Sequence, residues 1–257
     1  MKMGEDKLKP LGWAGSLAAF IWVALMLFLA HYWFIPKFLK ASGQPYLVGY
    51  LIAWVGTMAV ISCASLVMFH REGREWTWSA FACRYRLAQM PLQDWAWTIL
   101  VILVAAGIYA LLQPTTLWLG ASRFLAPHPA VPADLGPGGT ANLNSGTLFG
   151  MELKGQWWVV IVYFLGWILN IFGEEFWYRG WMLPRQELAF GRVAWLINGV
   201  IFTFQHTFQP WNYLAILPGA LFAVFIAQHR RNTWITIIQH GLMNLILLLF
   251  VIQGVLG

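Results

Sequence analysis

Residues 157–184 read WWVVIVYFLGWILNIFGEEFWYRGWMLP, and this stretch decides the fold class. Its first part is apolar and uncharged, and about 20 such residues in a helix cross a hydrocarbon layer of about 30 Å. Its second part contains Glu174, Glu175 and Arg179. Charged groups inside a bilayer are costly, so those that persist usually face one another, a cavity or a substrate. The stretch therefore predicts a membrane-spanning helix with a polar site near one end.

The same apolar pattern recurs along the whole chain. Of the 257 residues, 60% are hydrophobic and 10% are charged, against about 25% charged in an average soluble domain. We predict seven spans, at residues 11–35, 46–69, 95–119, 157–184, 193–209, 212–228 and 233–252. The predicted fold class is all-α, a polytopic transmembrane helical bundle that forms a single domain over residues 1–257.

The basic residues are distributed unevenly between the two sides of these spans. One side carries twelve, namely Lys2, Lys7, Lys9, Arg71, Arg74, Arg84, Arg86, Arg179, Arg185, Arg192, Arg230 and Arg231. The other side carries Lys37, Lys40, Arg123 and Lys154. Because positive charge favours the cytoplasmic side, the N-terminus is predicted inside and the C-terminus outside. We expect a multi-pass protein of a prokaryotic inner membrane, in contact with the lipid bilayer.

The net charge of +6 does not indicate nucleic-acid binding, because the basic residues lie in short loops between spans. Residues 70–94 mix arginines with aromatic residues, which suits either a segment on the inner interface or a plain connecting loop. Residues 121–156 are rich in Pro and Gly and form a predicted extracytoplasmic loop with little regular structure. This loop suits a mobile flap or a linker, and we favour the linker.

Helical spacing separates the two glutamates of the first polar cluster by role. Glu175 and Arg179 are four residues apart and share a face, whereas Glu174 points about 100° away. An ion pair between Glu175 and Arg179 would neutralise both charges. Glu174 would then be free to act on a ligand or on water.

Two further clusters lie in later spans. His206 follows Phe202 by four residues in the fifth predicted span, and His240 precedes Asn244 by four in the seventh. Counted from the nearest inner-side arginine, Glu174, His206 and His240 lie 11, 14 and 9 residues along their helices, or about 16, 21 and 14 Å. All three are therefore predicted near the midplane. The other histidines, His31, His70, His128 and His229, fall at span ends or in loops, where we assign no function.

Two imidazoles, a carboxylate and an amide suit peptide hydrolysis. A glutamate takes a proton from water, while histidine or asparagine donates hydrogen bonds to the developing oxyanion. Two histidines and a glutamate also suit a zinc ion, with a fourth position open to water. The H-E-x-x-H zinc motif is absent from the sequence, so we predict no cofactor and keep zinc as an alternative.

The three patterns E-E-x-x-x-R, F-x-x-x-H and H-x-x-x-N, in this order, resemble the motifs of the CPBP family of intramembrane proteases. That family contains the CAAX prenyl endopeptidases and bacteriocin-processing relatives. The resemblance covers residues 157–252, which we treat as the motif-bearing catalytic core. It implies that Glu174 and His206 activate water, that His240 and Asn244 stabilise the oxyanion, and that Glu175 and Arg179 support the site.

Other function classes compete with an endopeptidase. One is a catalytically silent binding or immunity protein of the same fold, although no motif position is substituted here. A proton-coupled transporter is another, but the sequence shows no internal repeat. We favour an intramembrane endopeptidase whose substrate is a membrane-associated peptide or protein. The sequence does not distinguish a lipidated substrate from a bacteriocin leader or a sorting tail.

Overall fold

The computed structural model of the chain describes residues 8–129, 131–139 and 146–257, and it confirms an all-helical bundle. The α-helices are, in chain order, α1 (Trp13–Leu29), α2 (Ile35–Ser42), α3 (Tyr46–Arg71), α4 (Trp78–Arg84), α5 (Leu92–Leu112), α6 (Pro114–Gly120), α7 (Trp157–Glu175), α8 (Leu183–Phe190), α9 (Ala194–Phe204), α10 (Tyr213–Arg230) and α11 (Trp234–Leu256). Short π-helical segments, Ala30–Phe34 and Phe176–Met182, join α1 to α2 and α7 to α8. A two-stranded antiparallel ribbon pairs β1 (Thr147–Leu148) with β2 (Met151–Glu152).

Within these described ranges, six helical stretches are long and apolar enough to cross a membrane, where the sequence predicts seven. They are Trp13–Ser42, Tyr46–Arg71, Leu92–Leu112, Trp157–Phe204, Pro210–Arg230 and Trp234–Leu256. The multi-pass character of the protein is confirmed. The difference in number arises because the fourth and fifth predicted spans belong to one stretch of 48 residues.

This long stretch reverses direction within its length. A straight helix of 48 residues would measure about 72 Å, more than twice the hydrocarbon thickness. The break lies at Gly191, whose φ of 62° glycine adopts without the steric cost of a Cβ. After it, α9 packs back against α8 and α10. The predicted helix over 193–209 is wrong at its end, because α9 stops at Phe204.

Two other predicted spans also have different ends. The third was predicted over 95–119, but α5 ends at Leu112 and Pro114 starts the separate helix α6. Proline has no backbone N–H, so it favours the first turn of a new helix. The first span continues beyond residue 35, because the π-helical segment after α1 leads into α2 without a break.

Helix α7 lies at the centre of the bundle, packed against α3 on one side and α11 on the other. Close approach to α3 depends on Gly173, where an added Cβ would lie 2.5 Å from the Ser62 hydroxyl oxygen. Small residues allow such close helix contacts in membranes. This packing encloses Glu174, the next residue, between neighbouring helices.

Most of the described basic residues that were assigned to the inner side lie at one end of the bundle, called here the arginine-rich end. Its ion pairs join Glu72 to Arg84 and Arg185, Glu187 to Arg86, and Asp94 to Arg230. Arg185 also donates to the carbonyl of Lys9. Lys37, Lys40 and Lys154 belong to the opposite end, where Gly155 bonds to Val255 near the end of α11. Lys2 and Lys7 lie outside the described residues, and the orientation toward the cytoplasm stays a prediction.

The segment 70–94 contacts the arginine-rich end on one face and is exposed on the other. Tyr85 is fully buried and donates from its hydroxyl to the Ser65 carbonyl at 2.6 Å. Trp76 and Trp78 are 61% and 68% exposed, as expected for aromatic anchors at a membrane interface. The segment therefore contains a packed helix, α4, together with an exposed aromatic surface.

The described parts of the loop over 121–156 contact the bundle, and its role as a linker or a flap stays a prediction. Residues 130 and 140–145 of it lie outside the described residues. In the rest, the Asp134 carboxylate accepts a hydrogen bond from the Phe149 backbone N–H at 3.1 Å. The Phe149 ring contacts the rings of Tyr46 and Tyr50 at the start of α3. These aromatic contacts anchor the loop to the bundle because they bury the Phe149 side chain.

Candidate active site

The first motif lies where α7 changes into a π-helical segment, deep in the bundle. The Glu175 carboxylate is 3.4 Å from Nε of Arg179, so the pair suggested by the four-residue spacing is present. Both residues are buried. The Arg179 guanidinium also lies 3.8 Å from the centre of the Phe202 ring, a cation–π contact with α9. Arg179 is thus held by a residue from each of two helices.

Glu174 has a different environment from Glu175. Its Oε1 accepts a hydrogen bond from Nε2 of Gln205 at 3.0 Å. Its Oε2 lies 3.9 Å from Nε2 of His240, beyond hydrogen-bond distance. Among the described residues, no donor is bonded to this second oxygen. One carboxylate oxygen is therefore fixed by the protein, and the other is available to a small molecule.

His240 connects the third motif to the first. Its Nδ1 lies 3.1 Å from Oε1 of Glu175. Because an ionised carboxylate only accepts hydrogen bonds, this contact places a proton on Nδ1. Its Nε2 lies 3.2 Å from Nδ2 of Asn170, one helical turn before Glu174 on α7. Asn244 donates from Nδ2 to the His240 carbonyl at 3.1 Å, which leaves its second amide proton free. His240 and Asn244 are both half-buried.

The sequence predicted His206 inside the fifth span, but the residue lies just beyond the end of α9. Its Nδ1 is 3.1 Å from the Phe202 carbonyl and 3.2 Å from the Thr203 carbonyl. Carbonyl oxygens only accept hydrogen bonds, so these partners assign the proton to Nδ1. In the neutral ring, Nε2 is then an acceptor. His206 can therefore accept a hydrogen bond from water or from substrate.

All six residues singled out by the sequence line one cavity of about 780 Å³. They are Glu174, Glu175, Arg179, His206, His240 and Asn244. Cavities of about 300–1,000 Å³ are typical of sites that enclose a ligand. The structure thus brings the three motifs, which are spread over 70 residues of sequence, onto the wall of a single space large enough for a short peptide segment.

One protein-family model matches the part of the chain that carries the three motifs. Residues 156–246 match the family described as type II CAAX prenyl endopeptidase Rce1-like. This part of the chain is similar to that family and is called here the Rce1-like region. All three motifs fall within the Rce1-like region, which begins one residue before the 157–252 core predicted from the motifs and ends at residue 246. Comparisons with curated proteins and with solved structures give no match.

Two polar residues of the Rce1-like region were missed by the sequence analysis. Asn170 and Gln205 are buried and contact His240 and Glu174 directly. Asn170 precedes Glu174 by four residues, so helical spacing would have placed both on one face. Gln205 precedes His206 in the second motif cluster, but its contact crosses from α9 to α7 and depends on the tertiary fold.

The prediction that His31 lies at a span end is wrong, because the apolar helical stretch runs from Trp13 to Ser42. It is 3% exposed, lies in the π-helical segment after α1 and lines the same cavity. Its Nδ1 lies 2.8 Å from the Leu27 carbonyl, and its ring stacks on Phe208 with centres 4.4 Å apart. The first helix therefore contributes to the cavity wall, although it lies far outside the Rce1-like region in sequence.

The zinc alternative requires several ligands that converge on one point. Among the residues that the structure describes, no group of three or more His, Cys, Asp or Glu side chains is arranged to hold a metal ion. His206 donates from Nδ1 to the carbonyls of its own turn, and His240 contacts neighbouring side chains through both ring nitrogens. In the described part of the chain, these side chains do not converge on one point as zinc ligands would, and the zinc alternative is left to the metal analysis proposed below.

Proposed function

We propose that the chain is an intramembrane, glutamate-dependent endopeptidase that hydrolyses a peptide bond of a membrane-associated substrate. The observation that carries this proposal is the position of Glu174. The residue is 3% exposed and lines a peptide-sized cavity, and its carboxylate accepts a hydrogen bond from Gln205 on one oxygen. Membership of the Rce1-like region in a family of CAAX endopeptidases supports the same class of reaction.

Water activation is assigned to Glu174 together with His206. Both present an acceptor to the cavity, so one water can donate one hydrogen bond to each. Glu174 takes a proton as the water oxygen attacks the carbonyl carbon of the peptide. A tetrahedral intermediate with a negative oxygen results. When the C–N bond breaks, the proton held by Glu174 passes to the leaving nitrogen, which restores the carboxylate.

Stabilisation of the negative oxygen is assigned to His240 and Asn244. Asn244 retains one free amide proton. His240 must carry a proton on Nε2 to donate, and the Glu175 carboxylate at Nδ1 compensates the resulting positive charge. In the observed arrangement the Asn170 amide nitrogen faces Nε2. Rotation of that amide would present its oxygen to Nε2–H, so Asn170 can form a hydrogen bond with His240 whether or not Nε2 carries a proton.

Cleavage in membranes tests this proposal. Wild type and Glu174→Gln are each co-expressed with candidate membrane-anchored substrates, and the products are identified by their new termini. Glutamine keeps the shape of the side chain but cannot act as a base. We expect products with wild type alone, at matched abundance of the two proteins. Equal cleavage by both variants would show that Glu174 is not the base.

A further inference from the structure

The first motif continues into a helical segment whose regular hydrogen bonding is interrupted. Arg179 and Gly180 lie in the π-helical segment Phe176–Met182, and Pro184 lies in the first turn of α8. In a regular α-helix the carbonyl of residue 180 accepts a hydrogen bond from the N–H of residue 184, but proline has no N–H. Carbonyl groups freed by proline inside a membrane bundle are bonded by neighbouring elements instead. The Gly180 carbonyl therefore lacks its ordinary helical donor.

Arg84, the last residue of α4, supplies a donor to this carbonyl. Its Nη1 donates to the Gly180 oxygen at 2.6 Å, and the Arg84 side chain is buried. Its Nε and Nη2 bond to the two carboxylate oxygens of Glu72 at 2.6 and 2.8 Å. The planar guanidinium thus binds a carboxylate through two nitrogens and the carbonyl through the third, which the single ammonium of a lysine does not reproduce. Because Glu72 neutralises Arg84, the contact adds no unpaired charge to the interior.

Tyr85, the residue after Arg84, packs against the same point of the segment. An added Cβ on Gly180 would overlap the Tyr85 ring, so glycine is required for this close approach. The Tyr85 ring also contacts the ring of Phe176, with centres 5.0 Å apart, and its hydroxyl donates to the Ser65 carbonyl on α3. The backbone of the π-helical segment is therefore held against residues 84 and 85 by a hydrogen bond and by close packing.

The position of this backbone determines where the Arg179 side chain starts, because Gly180 directly follows Arg179. That side chain reaches the Glu175 carboxylate at 3.4 Å and lies 3.8 Å from the centre of the Phe202 ring. Among the described residues, no hydrogen-bond partner is present for Nε or Nη1 of Arg179. The backbone, and not hydrogen bonds at these two atoms, therefore fixes the place of the guanidinium between Glu175 and Phe202.

We propose that Arg84 is a positioning residue for the candidate active site. By bonding the Gly180 carbonyl, it keeps Arg179 beside Glu175, the carboxylate that contacts His240. The proposal rests on the proposed function and adds to it a residue from outside the Rce1-like region. Arg84 does not line the cavity, so it acts on the site through the backbone at Gly180 and not by touching substrate.

A comparison with Pro184→Ala tests this assignment. Alanine at position 184 restores an N–H that can bond to the Gly180 carbonyl within the helix, so the donor on Arg84 becomes dispensable. Four forms are purified in detergent: wild type, Arg84→Met, Pro184→Ala and the double variant. Hydrogen exchange of the backbone amides over residues 176–190 is measured by mass spectrometry, and the effect of Arg84→Met is determined with proline and with alanine at position 184. This measurement requires no hydrolysis.

We expect Arg84→Met to raise the exchange rate about tenfold with Pro184 present and less than about threefold with alanine there, since a hydrogen bond from a charged donor is lost only in the first case. The matched control is Arg86→Met, which removes a buried arginine of the same segment that bonds to Glu187. Its effect should be the same in both backgrounds. An equal effect of Arg84→Met in both backgrounds would overturn the proposal. Accumulation of Arg84→Met only together with Pro184→Ala would support it, and failure to accumulate in either background would overturn it.

Turnover connects this backbone contact to the candidate active site. Arg84→Met should lower kcat about tenfold with KM little changed, and Pro184→Ala should restore most of the loss. Rescue of hydrogen exchange without rescue of kcat would show a purely structural contact and would overturn the positioning role. The exchange measurements should give the same result in Glu174→Gln, so a failure of the proposed hydrolysis and a failure of the assignment of Arg84 are distinguished.

Discussion

Nδ1 of His240 lies 3.1 Å from Oε1 of Glu175, and this contact joins α11 to α7 in the middle of the site. The same carboxylate lies 3.4 Å from Arg179. Glu175 therefore neutralises a buried arginine and orients a histidine at once. Its neighbour Glu174 makes neither of these short contacts, since its distance to His240 is 3.9 Å. Adjacent glutamates on one helix thus have different partners.

The first prediction concerns Glu175→Gln. The substitution leaves Arg179 buried without its carboxylate, and removing one partner of a buried ion pair costs about 3–5 kcal/mol. We expect lower abundance in membranes and a lower midpoint of thermal unfolding in detergent. Glu152→Gln, at an exposed position in β2, is the control and should change neither. Wild-type abundance and thermal midpoint for Glu175→Gln would contradict a supporting role.

The second prediction concerns Gln205 as a positioning residue for Glu174. Gln205→Leu removes the 3.0 Å hydrogen bond to Oε1 but keeps a similar volume. Since a hydrogen bond to a charged group contributes about 1.5–3 kcal/mol, we expect kcat to fall about 10- to 100-fold. KM should change little, because Gln205 does not line the cavity. Phe204→Leu, at the adjacent exposed position, should retain wild-type kinetics, whereas a change in KM alone for Gln205→Leu would contradict this role.

The contrast between these residues shows what the sequence could predict. Helical spacing placed Glu175 with Arg179, and His240 with Asn244, because each pair lies on one helix and the distance is set by local geometry. The contacts of Gln205 with Glu174 and of His240 with Asn170 cross between helices, and no local pattern specifies them. The reversal at Gly191 is similar, since glycine permits several conformations and packing of α9 selects one. For this reason the contacts between helices and the place of this reversal could not be predicted from the sequence.

The third prediction separates the glutamate mechanism from a zinc mechanism. If Asn244 donates to the oxyanion, Asn244→Ala should lower turnover about 10²- to 10³-fold with substrate binding little changed. Gln253→Ala, exposed further along α11, is the control. With zinc, loss of His206 or His240 would remove the metal and nearly all activity, while Asn244 would matter less.

Metal analysis of the same preparation completes that comparison. We expect substoichiometric zinc by elemental analysis and full activity after extensive dialysis against a strong chelator. One tightly bound zinc per chain, lost together with activity and restored by added metal, would instead support the zinc mechanism. Wild-type turnover by Asn244→Ala would show that its amide does not stabilise the oxyanion.

The fourth prediction concerns acid sensitivity at the arginine-rich end. Partial burial alone would raise the pKa of Glu72, but hydrogen bonds and charges of Arg84 and Arg185 outweigh it and hold the pKa below 4.5. A carboxylate whose pKa is lower in the folded than in the unfolded chain stabilises the fold at any pH above its unfolded pKa. This contribution is lost as the pH falls through the folded pKa. Glu72→Gln should therefore be less thermostable than wild type at pH 7. The difference should shrink below about pH 4.5, and a difference independent of pH would contradict the assignment.

The most direct test of the whole account is the rate of peptide cleavage by purified protein in lipid bilayers, measured for wild type and Glu174→Gln with a substrate identified by co-expression. The account predicts that Glu174→Gln folds with a normal thermal midpoint and that its single-turnover rate falls at least about 10³-fold, as expected for loss of a general base. Cleavage by folded Glu174→Gln at the wild-type rate would contradict the central role assigned to this carboxylate.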